Sequence, residues 1–192
     1  MIDLNHSRNL AVRRLACCLR LPLALPVLTA VLVLATPAVQ AQFNYTVTNQ
    51  TVTITGYTGT KNIVDIPSTI DGLPVTSIGD GAFRDSRITG VTIPNSVTSI
   101  GASAFAYCSG LTSVTIPNSV TNIGVEAFHA CSSLTNIMVD PLNSAFSSVD
   151  GVLFNHNQTT LVEYPGGKFG GYTIPNSVTK IEAGYTTSVV WL

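Results

Sequence analysis

Residues 91–134 contain two nearly identical segments, and this repetition constrains the fold more than any other feature of the sequence. The first segment is VTIPNSVTSIGASAFAYCSGL, and the second is VTIPNSVTNIGVEAFHACSSL. Equivalent positions lie 23 residues apart: Pro94 and Pro117, Ile100 and Ile123, Phe105 and Phe128, Cys108 and Cys131, Leu111 and Leu134. A fixed period in the twenties predicts a solenoid, in which each coil buries its apolar side chains only by stacking on its neighbours.

The repeated unit resembles the leucine-rich repeats of BspA-like bacterial surface proteins. That family's repeat runs approximately LxxLxLPxxLxxIGxxAFxxCxx, and residues 111–133 follow it almost position by position. The resemblance extends over about residues 63–181. One departure is that no Asn or Cys follows the strand at the usual place, where this chain has Ile-Pro instead. The resemblance implies a surface or secreted role in adhesion or protein binding.

Alternation within one repeat indicates which side chains face the interior. Leu111, Val114 and Ile116 are predicted to point inward, and Ser113 and Thr115 outward, because side chains alternate along a strand. Stacked coils then form a β-rich solenoid of short parallel strands. The first predicted internal ladder contains Ile66, Ile93, Ile116, Val139 and Ile174, and the second contains Ile78, Ile100, Ile123 and Ile181.

The Gly and Ala-Phe positions of each repeat predict the path that returns to the next strand. This segment is too short for an independent helix, so a single helical or 3₁₀ turn is expected. The phenylalanines, which are Phe83, Phe105 and Phe128, are expected to fill the core. Carbohydrate stacking on an aromatic ladder is the alternative, and the inward phase of these positions disfavours it.

The N-terminal region predicts an export signal followed by a cap. Residues 1–20 are basic, residues 21–35 are apolar, and Ala41 ends a small-residue cleavage motif. This order predicts a secretory signal peptide over residues 1–41, with an uncleaved anchor as the alternative. Residues 42–62 alternate apolar and polar side chains around a turn, which predicts a β-hairpin that caps the solenoid; a separate binding role is the alternative.

Charge and motifs exclude several classes of function. Nine basic and ten acidic residues are present, but after residue 41 five basic residues face nine acidic ones, which disfavours nucleic acid as a partner. His129 and His156 have no recognisable nucleophile or metalloenzyme motif beside them, and no phosphate-binding loop is present. We therefore predict a non-catalytic protein that uses no cofactor and no metal.

Two positions leave chemical alternatives open. Cys108 and Cys131 occupy the same slot in adjacent coils, where free buried thiols are favoured over a disulfide or a metal site. Residues 140–171 break the repeat and predict a β insertion, which we place on the side of the solenoid. Within it, Asp150, Asn155, His156 and Asn157 are favoured as turn residues over a metal cluster, because their spacing matches no calcium loop.

The last repeat, within a leucine-rich-repeat domain predicted over residues 63–192, is incomplete. Residues 172–181 return to the consensus, but no polar cap follows them. This pattern predicts either a truncated or frameshifted chain, which we favour, or association of a partner along the uncapped C-terminal edge.

The outward strand face is the predicted binding surface. Its residues are small and rich in hydroxyl groups: Asp65, Thr92, Thr115, Met138, Thr173, Ser113 and Asn136. We expect an exported recognition module that binds a protein or glycan ligand outside the cell, without a membrane span once the signal is removed. A passive structural spacer, or a fragment of a larger surface protein, is the alternative. The insertion is the first place to look for a binding loop, because it interrupts the ladder.

Overall fold

The computed structural model describes residues 42–182; the predicted signal peptide and the last ten residues lie outside this range. Fourteen strands and no helix are found in this range. The strands are β1 (Phe43–Thr48), β2 (Thr51–Tyr57), β3 (Ile63–Asp65), β4 (Thr69–Ile70), β5 (Leu73–Ile78), β6 (Gly90–Thr92), β7 (Ser99–Ile100), β8 (Ser113–Ile116), β9 (Asn122–Ile123), β10 (Asn136–Val139), β11 (Phe146–Val149), β12 (Val152–Asn155), β13 (Thr160–Glu163) and β14 (Lys180–Ile181). The predicted solenoid of short parallel strands is confirmed.

Two sets of parallel strands line the stack. In the first set β3 pairs with β6, and β8 pairs with β10, with Val139 opposite Ile116. In the second set β2, β5, β7 and β9 are neighbours, and Ile54, Ile78, Ile100 and Ile123 lie opposite one another in that order. Burial follows the predicted alternation, since Val114 and Ile116 are buried while Ser113 and Thr115 are exposed. Register is fixed because a slip of one residue would expose every isoleucine.

The return path of each coil is a third hydrogen-bonded wall. In each return path, every second N–H group donates to a carbonyl of the following coil. From the first coil, Gly81, Phe83 and Asp85 donate to Ala102, Ala104 and Ala106, respectively. From the second coil, Ser103, Phe105 and Tyr107 donate to Val125, Ala127 and His129. Residues with positive φ, in the left-handed region, recur at equivalent positions of successive coils. They are Gly81 and Asp85 in the first coil, Ser103 and Tyr107 in the second, and Glu126 and Ala130 in the third. Each return path consists of successive i→i+3 hydrogen-bonded turns, without the helical or 3₁₀ geometry that was expected, because the left-handed residues prevent it.

The N-terminal hairpin caps the first coil. Asn49 and Gln50, both at positive φ, form the two-residue turn between β1 and β2. A turn with two left-handed residues matches the twist of the strands that it connects. Tyr57 stacks on Phe83 with ring centroids 5.5 Å apart, and Phe83, Phe105 and Phe128 continue the stack at 5.0 and 5.4 Å. The predicted core role of the phenylalanines is confirmed, since all three are buried.

The insertion lies within the stack, and its predicted placement on the side of the solenoid is wrong. β11, β12 and β13 form an antiparallel meander, with Asp150 and Gly151 at positive φ in its first turn. Leu153 of β12 belongs to the main hydrophobic core. Val152 and Phe154 belong to a second hydrophobic cluster, which also contains Leu161 and Tyr164. Both faces of β12 are therefore buried, and the meander seals the third coil.

Two predicted ladder positions are displaced by the insertion. Ile181 lies opposite Leu161 because β14 pairs with β13, so its predicted place beside Ile123 is wrong. Ile174 packs against the second cluster with Phe154 and Tyr164, and it does not continue the ladder of Val139. The inserted strand takes the position at which the consensus would have placed the next coil.

Close backbone approach between coils gives a stability prediction. A Cβ atom on Gly124 would lie 2.6 Å from the carbonyl carbon of Gly101 in the preceding coil. Replacing Gly124 by alanine is expected to lower the free energy of unfolding by about 2 kcal/mol, because the stacked coils must separate locally. Urea unfolding followed by circular dichroism measures this change. Gly171→Ala is the matched control, since nothing lies within 4 Å of the added Cβ atom; equal losses in both variants would contradict the prediction.

Candidate functional site

The predicted binding residues lie on the first set of strands, which we call the strand face: the outward residues of β3, β6, β8 and β10. Asp65 lies opposite Thr92, Thr115 opposite Met138, and Ser113 opposite Asn136. Asn136 is partly buried and the other five are exposed. The structure therefore brings six of the seven residues into two in-register groups.

Thr173 is the residue that the structure separates from this group. It is exposed, but it lies in an irregular segment between the insertion and β14. The prediction assumed that the fourth coil would place its strand beside β10, whereas the insertion follows β10. The strand face consequently ends at Met138.

A shallow cavity of about 260 Å³ opens on the strand face. It is lined by Val91, Thr92, Ile93, Asn95, Thr115, Pro117 and Asp140. The lining combines two hydroxyl groups, one amide and one carboxylate with apolar side chains. This arrangement suits hydrogen bonding to a polar surface, but it contains no side chain with the acid–base or nucleophilic geometry of an active site.

The insertion carries two large apolar side chains that are highly exposed. Leu142 is 80% exposed and Phe169 is 88% exposed, and Met138 at the end of the strand face is 43% exposed. The break in the repeat pattern points to the insertion but not to Phe169. The signal in the sequence is Gly-Gly-Lys-Phe-Gly-Gly at residues 166–171, because four glycines and one lysine supply no apolar side chain to cover the ring.

Comparisons with known proteins decide the family. A family model described as the BspA type leucine rich repeat region matches residues 64–184 in six copies, which is well over half of the chain. The chain belongs to this family. Leucine-rich repeats of this kind serve as protein-interaction modules, since a stacked solenoid presents an extended surface formed by several coils. No curated protein matches the sequence.

One solved structure supports the same assignment of this BspA-type repeat protein, and others are similar to it. A leucine-rich repeat protein from T. pallidum is 32% identical, with a TM-score of 0.57 over 78% of this chain and 64% of that one. A leucine-rich repeat protein from Bacteroides capillosus is 27% identical, with a TM-score of 0.49 over 73% of this chain and 93% of that one. Another from Eubacterium ventriosum is 24% identical, with a TM-score of 0.41 over 73% of this chain and 54% of that one. The chain thus spans less than two thirds of the T. pallidum protein's length.

Two buried polar residues attach the insertion to the BspA-type coils. The Asn143 side chain donates to the carbonyls of Pro117 and Val120 at 2.8 and 2.9 Å, and its oxygen accepts from the N–H groups of Ala145 and Phe146. At the Val120 carbonyl it takes the place of a hydroxyl from a regular next coil, since the equivalent Val97 carbonyl accepts from the Ser119 hydroxyl. The sequence pattern does not mark Asn143, because a single Asn shortly after Pro in a turn is typical of ordinary turns.

Glu163 is the second buried anchor, at 8% exposure. Burial raises the pKa of its carboxyl group to about 7, while a hydrogen bond from the Phe128 N–H acts in the opposite direction and the Glu126 carboxylate adds to the rise. The carboxyl group occupies the position of a carbonyl from the next coil. It is a structural group on the return path, away from the strand face.

The two cysteines of adjacent BspA-type coils are free buried thiols, as favoured. Each sulfur donates to the carbonyl of a phenylalanine in the preceding coil, from Cys108 to Phe83 at 3.0 Å and from Cys131 to Phe105 at 3.1 Å. The neighbouring Cys108 thiol, together with burial, raises the pKa of the Cys131 thiol. A thiol held in this way is a packing and capping group between coils.

The polar cluster of the insertion serves its turns. The Asn155 side chain accepts from the N–H groups of Thr159 and Thr160 at 2.8 and 3.0 Å, and it donates to the Thr159 hydroxyl at 2.9 Å. His156 Nδ1 lies 3.1 Å from the Asn143 carbonyl oxygen. These contacts assign Asn155 and His156 to turn structure.

Within residues 42–182, no helix has the length and hydrophobicity that crossing a bilayer requires.

Proposed function

We propose that this chain is an exported, non-catalytic adhesion or recognition module that binds a protein outside the cell through the strand face and the adjoining insertion. The observation that carries the proposal is the combination of an exposed, in-register polar face with Met138, Leu142 and Phe169. Protein interfaces contain an apolar core within a polar rim, and Met and Phe are enriched there. The hydroxyl groups of the strand face would supply the rim.

Export is supported by the three-part N-terminal pattern of the sequence, which lies outside the described residues. The strand face alone offers small side chains, so the proposal assigns most of the binding energy to the insertion. Several copies on one surface would raise the overall strength through effective concentration.

The test uses point variants, because deleting the insertion would remove Asn143 and Glu163 from the core. The double variant Leu142→Ser with Phe169→Ser removes two exposed apolar side chains, and Val47→Ser with Val125→Ser is the matched control at 51% and 64% exposure. Binding of the full chain to immobilised extracellular matrix proteins is measured by surface plasmon resonance. The first double variant is expected to weaken binding by about tenfold or more, and the control to bind as the parent does.

A third variant, Thr115→Arg, blocks the centre of the strand face, and it is expected to weaken binding to the same protein. If both test variants bind as tightly as the parent chain, the proposed surface is wrong. If the parent binds no protein of the panel, the passive spacer replaces the recognition module.

A further inference from the structure

A second cavity, which we call the cap cavity, lies between the N-terminal hairpin and the first coil. It has a volume of about 400 Å³ and is lined by Tyr57, Thr58, Gly59, Thr60, Lys61, Asn62, Ser86, Arg87 and Ile88. This volume falls within the range of sites that hold small molecules, which is about 300–1,000 Å³. The cavity is distinct from the strand face cavity, with which it shares no residue.

The walls of the cap cavity are held by direct contacts, so its form is built into the fold. The Tyr57 hydroxyl donates to the Lys61 carbonyl at 3.2 Å, which closes the loop after β2. The N–H of Thr89 donates to the Asn62 carbonyl at 2.6 Å, which joins this loop to the first coil. Tyr57 stacks on Phe83, and Ile88 is 1% exposed, so the apolar base belongs to the core.

The charges that line this cavity are all positive. Lys61 and Arg87 contribute two cations, and no Asp or Glu lies among the lining residues. Neither side chain forms a salt bridge within residues 42–182, whereas Arg84 pairs with Asp85 and Lys180 pairs with Glu182. This arrangement is notable because acidic residues outnumber basic ones by nine to five after residue 41. Two unpaired cations in one cavity create a local field that favours an anion.

The remaining lining groups define what the anion is attached to. Thr60 and Asn62 add a hydroxyl and an amide group to the lining, while the Ser86 hydroxyl is hydrogen-bonded to the Cys108 sulfur at 3.4 Å. An arginine fork and a lysine ammonium together suit a carboxylate or sulfate group, and hydroxyl and amide side chains suit the hydroxyls of a sugar. We propose that the cap cavity binds an acidic saccharide, with its carboxylate or sulfate between Lys61 and Arg87 and its hydroxyl groups on Thr60 and Asn62.

The test measures binding of defined oligosaccharides to the full chain by isothermal titration calorimetry. The probes are a heparin hexasaccharide, which carries sulfates, a galacturonate hexamer, which carries carboxylates, and maltohexaose, which is neutral. At least one acidic probe is expected to bind about tenfold more tightly than maltohexaose, and to weaken at higher ionic strength. Tighter binding of the heparin hexasaccharide would identify the anionic group as a sulfate, and tighter binding of the galacturonate hexamer would identify it as a carboxylate.

Two variants that remove the same charge separate the site from general electrostatics. Lys61→Gln with Arg87→Gln removes the two cavity cations, and Arg84→Gln with Lys180→Gln removes two cations outside the cavity. The first is expected to lower affinity by about tenfold, given two exposed ion pairs, and the second to leave it nearly unchanged. Thr60→Trp, which fills the cavity without changing charge, is expected to reduce binding as strongly as the first variant.

Three results would overturn the proposal. They are equal losses in the two charge variants, equal binding of acidic and neutral probes, and tighter binding of a hexaglutamate peptide than of either acidic saccharide. None of these results depends on the strand face. The Leu142→Ser, Phe169→Ser variant keeps the whole cap cavity, so failure of one proposal leaves the other testable.

Discussion

Replacing Phe105 by alanine is expected to lower the free energy of unfolding by about 4 kcal/mol. The ring is fully buried between Phe83 and Phe128, at centroid distances of 5.0 and 5.4 Å and with interplanar angles of 15° and 3°. Truncation removes contacts with two coils at once, and the backbone ladders on either side limit collapse into the cavity. Urea unfolding monitored by circular dichroism gives the free energy directly.

Phe169→Ala is the matched control for this prediction, because the same substitution is made at a ring that is 88% exposed. It is expected to change stability by less than about 0.5 kcal/mol. A loss below about 1 kcal/mol for Phe105→Ala would mean that the aromatic stack contributes little, and that the backbone ladders alone hold the coils together.

The strand ladders could be predicted from the sequence because one requirement, burial of every isoleucine, fixes both the period and the register. Ile78, Ile100 and Ile123 lie opposite one another as expected. The N-terminal cap was predictable for a related reason, since alternating residues around Asn49 define a hairpin with one buried face. In both cases the local pattern and the tertiary contacts require the same structure.

The return path could not be predicted because its conformation is imposed by the neighbouring coil. Ser103, Tyr107, Glu126 and Ala130 all have positive φ, although none of these residue types favours the left-handed region. Each is held there because N–H groups of the return path donate along the stack. Local propensity predicts a helical turn at this position, and the inter-coil hydrogen bonds override it.

The insertion was located by its break in the period, but its role was not evident. Asn143 and Glu163 are polar residues of types that usually lie on the surface, and only the structure shows that they are buried. Once β13 occupies the next position in the stack, Ile181 and Thr173 are displaced from their predicted places. An irregular coil cannot be aligned by the consensus, because its contacts do not repeat.

Replacing Glu163 by glutamine is expected to change the pH dependence of stability. The folded pKa of Glu163 is raised to about 7 from an ordinary value of 4.5. Between these two values the native state binds more protons than the unfolded state, so the free energy of unfolding falls as pH rises. The full loss is present above the folded pKa, and a shift of this size corresponds to about 3 kcal/mol.

Glu163→Gln removes this loss, because the amide carries no charge and its oxygen can still accept the hydrogen bond from the Phe128 N–H. We expect the variant to match the parent chain below the unfolded pKa of 4.5 and to exceed it by about 3 kcal/mol above the folded pKa of about 7. Urea midpoints across this pH range provide the measurement. Parallel profiles for the two proteins would show that the carboxyl group is not buried as described.

Glu163→Ala separates the charge from the hydrogen bond. It also removes the charge, but it leaves the Phe128 N–H without its acceptor at every pH. Below the unfolded pKa, where both states of the parent are protonated, this variant should be less stable than the parent by about 1 kcal/mol or more. The difference between the glutamine and alanine variants therefore isolates the contact by which the insertion closes the third coil.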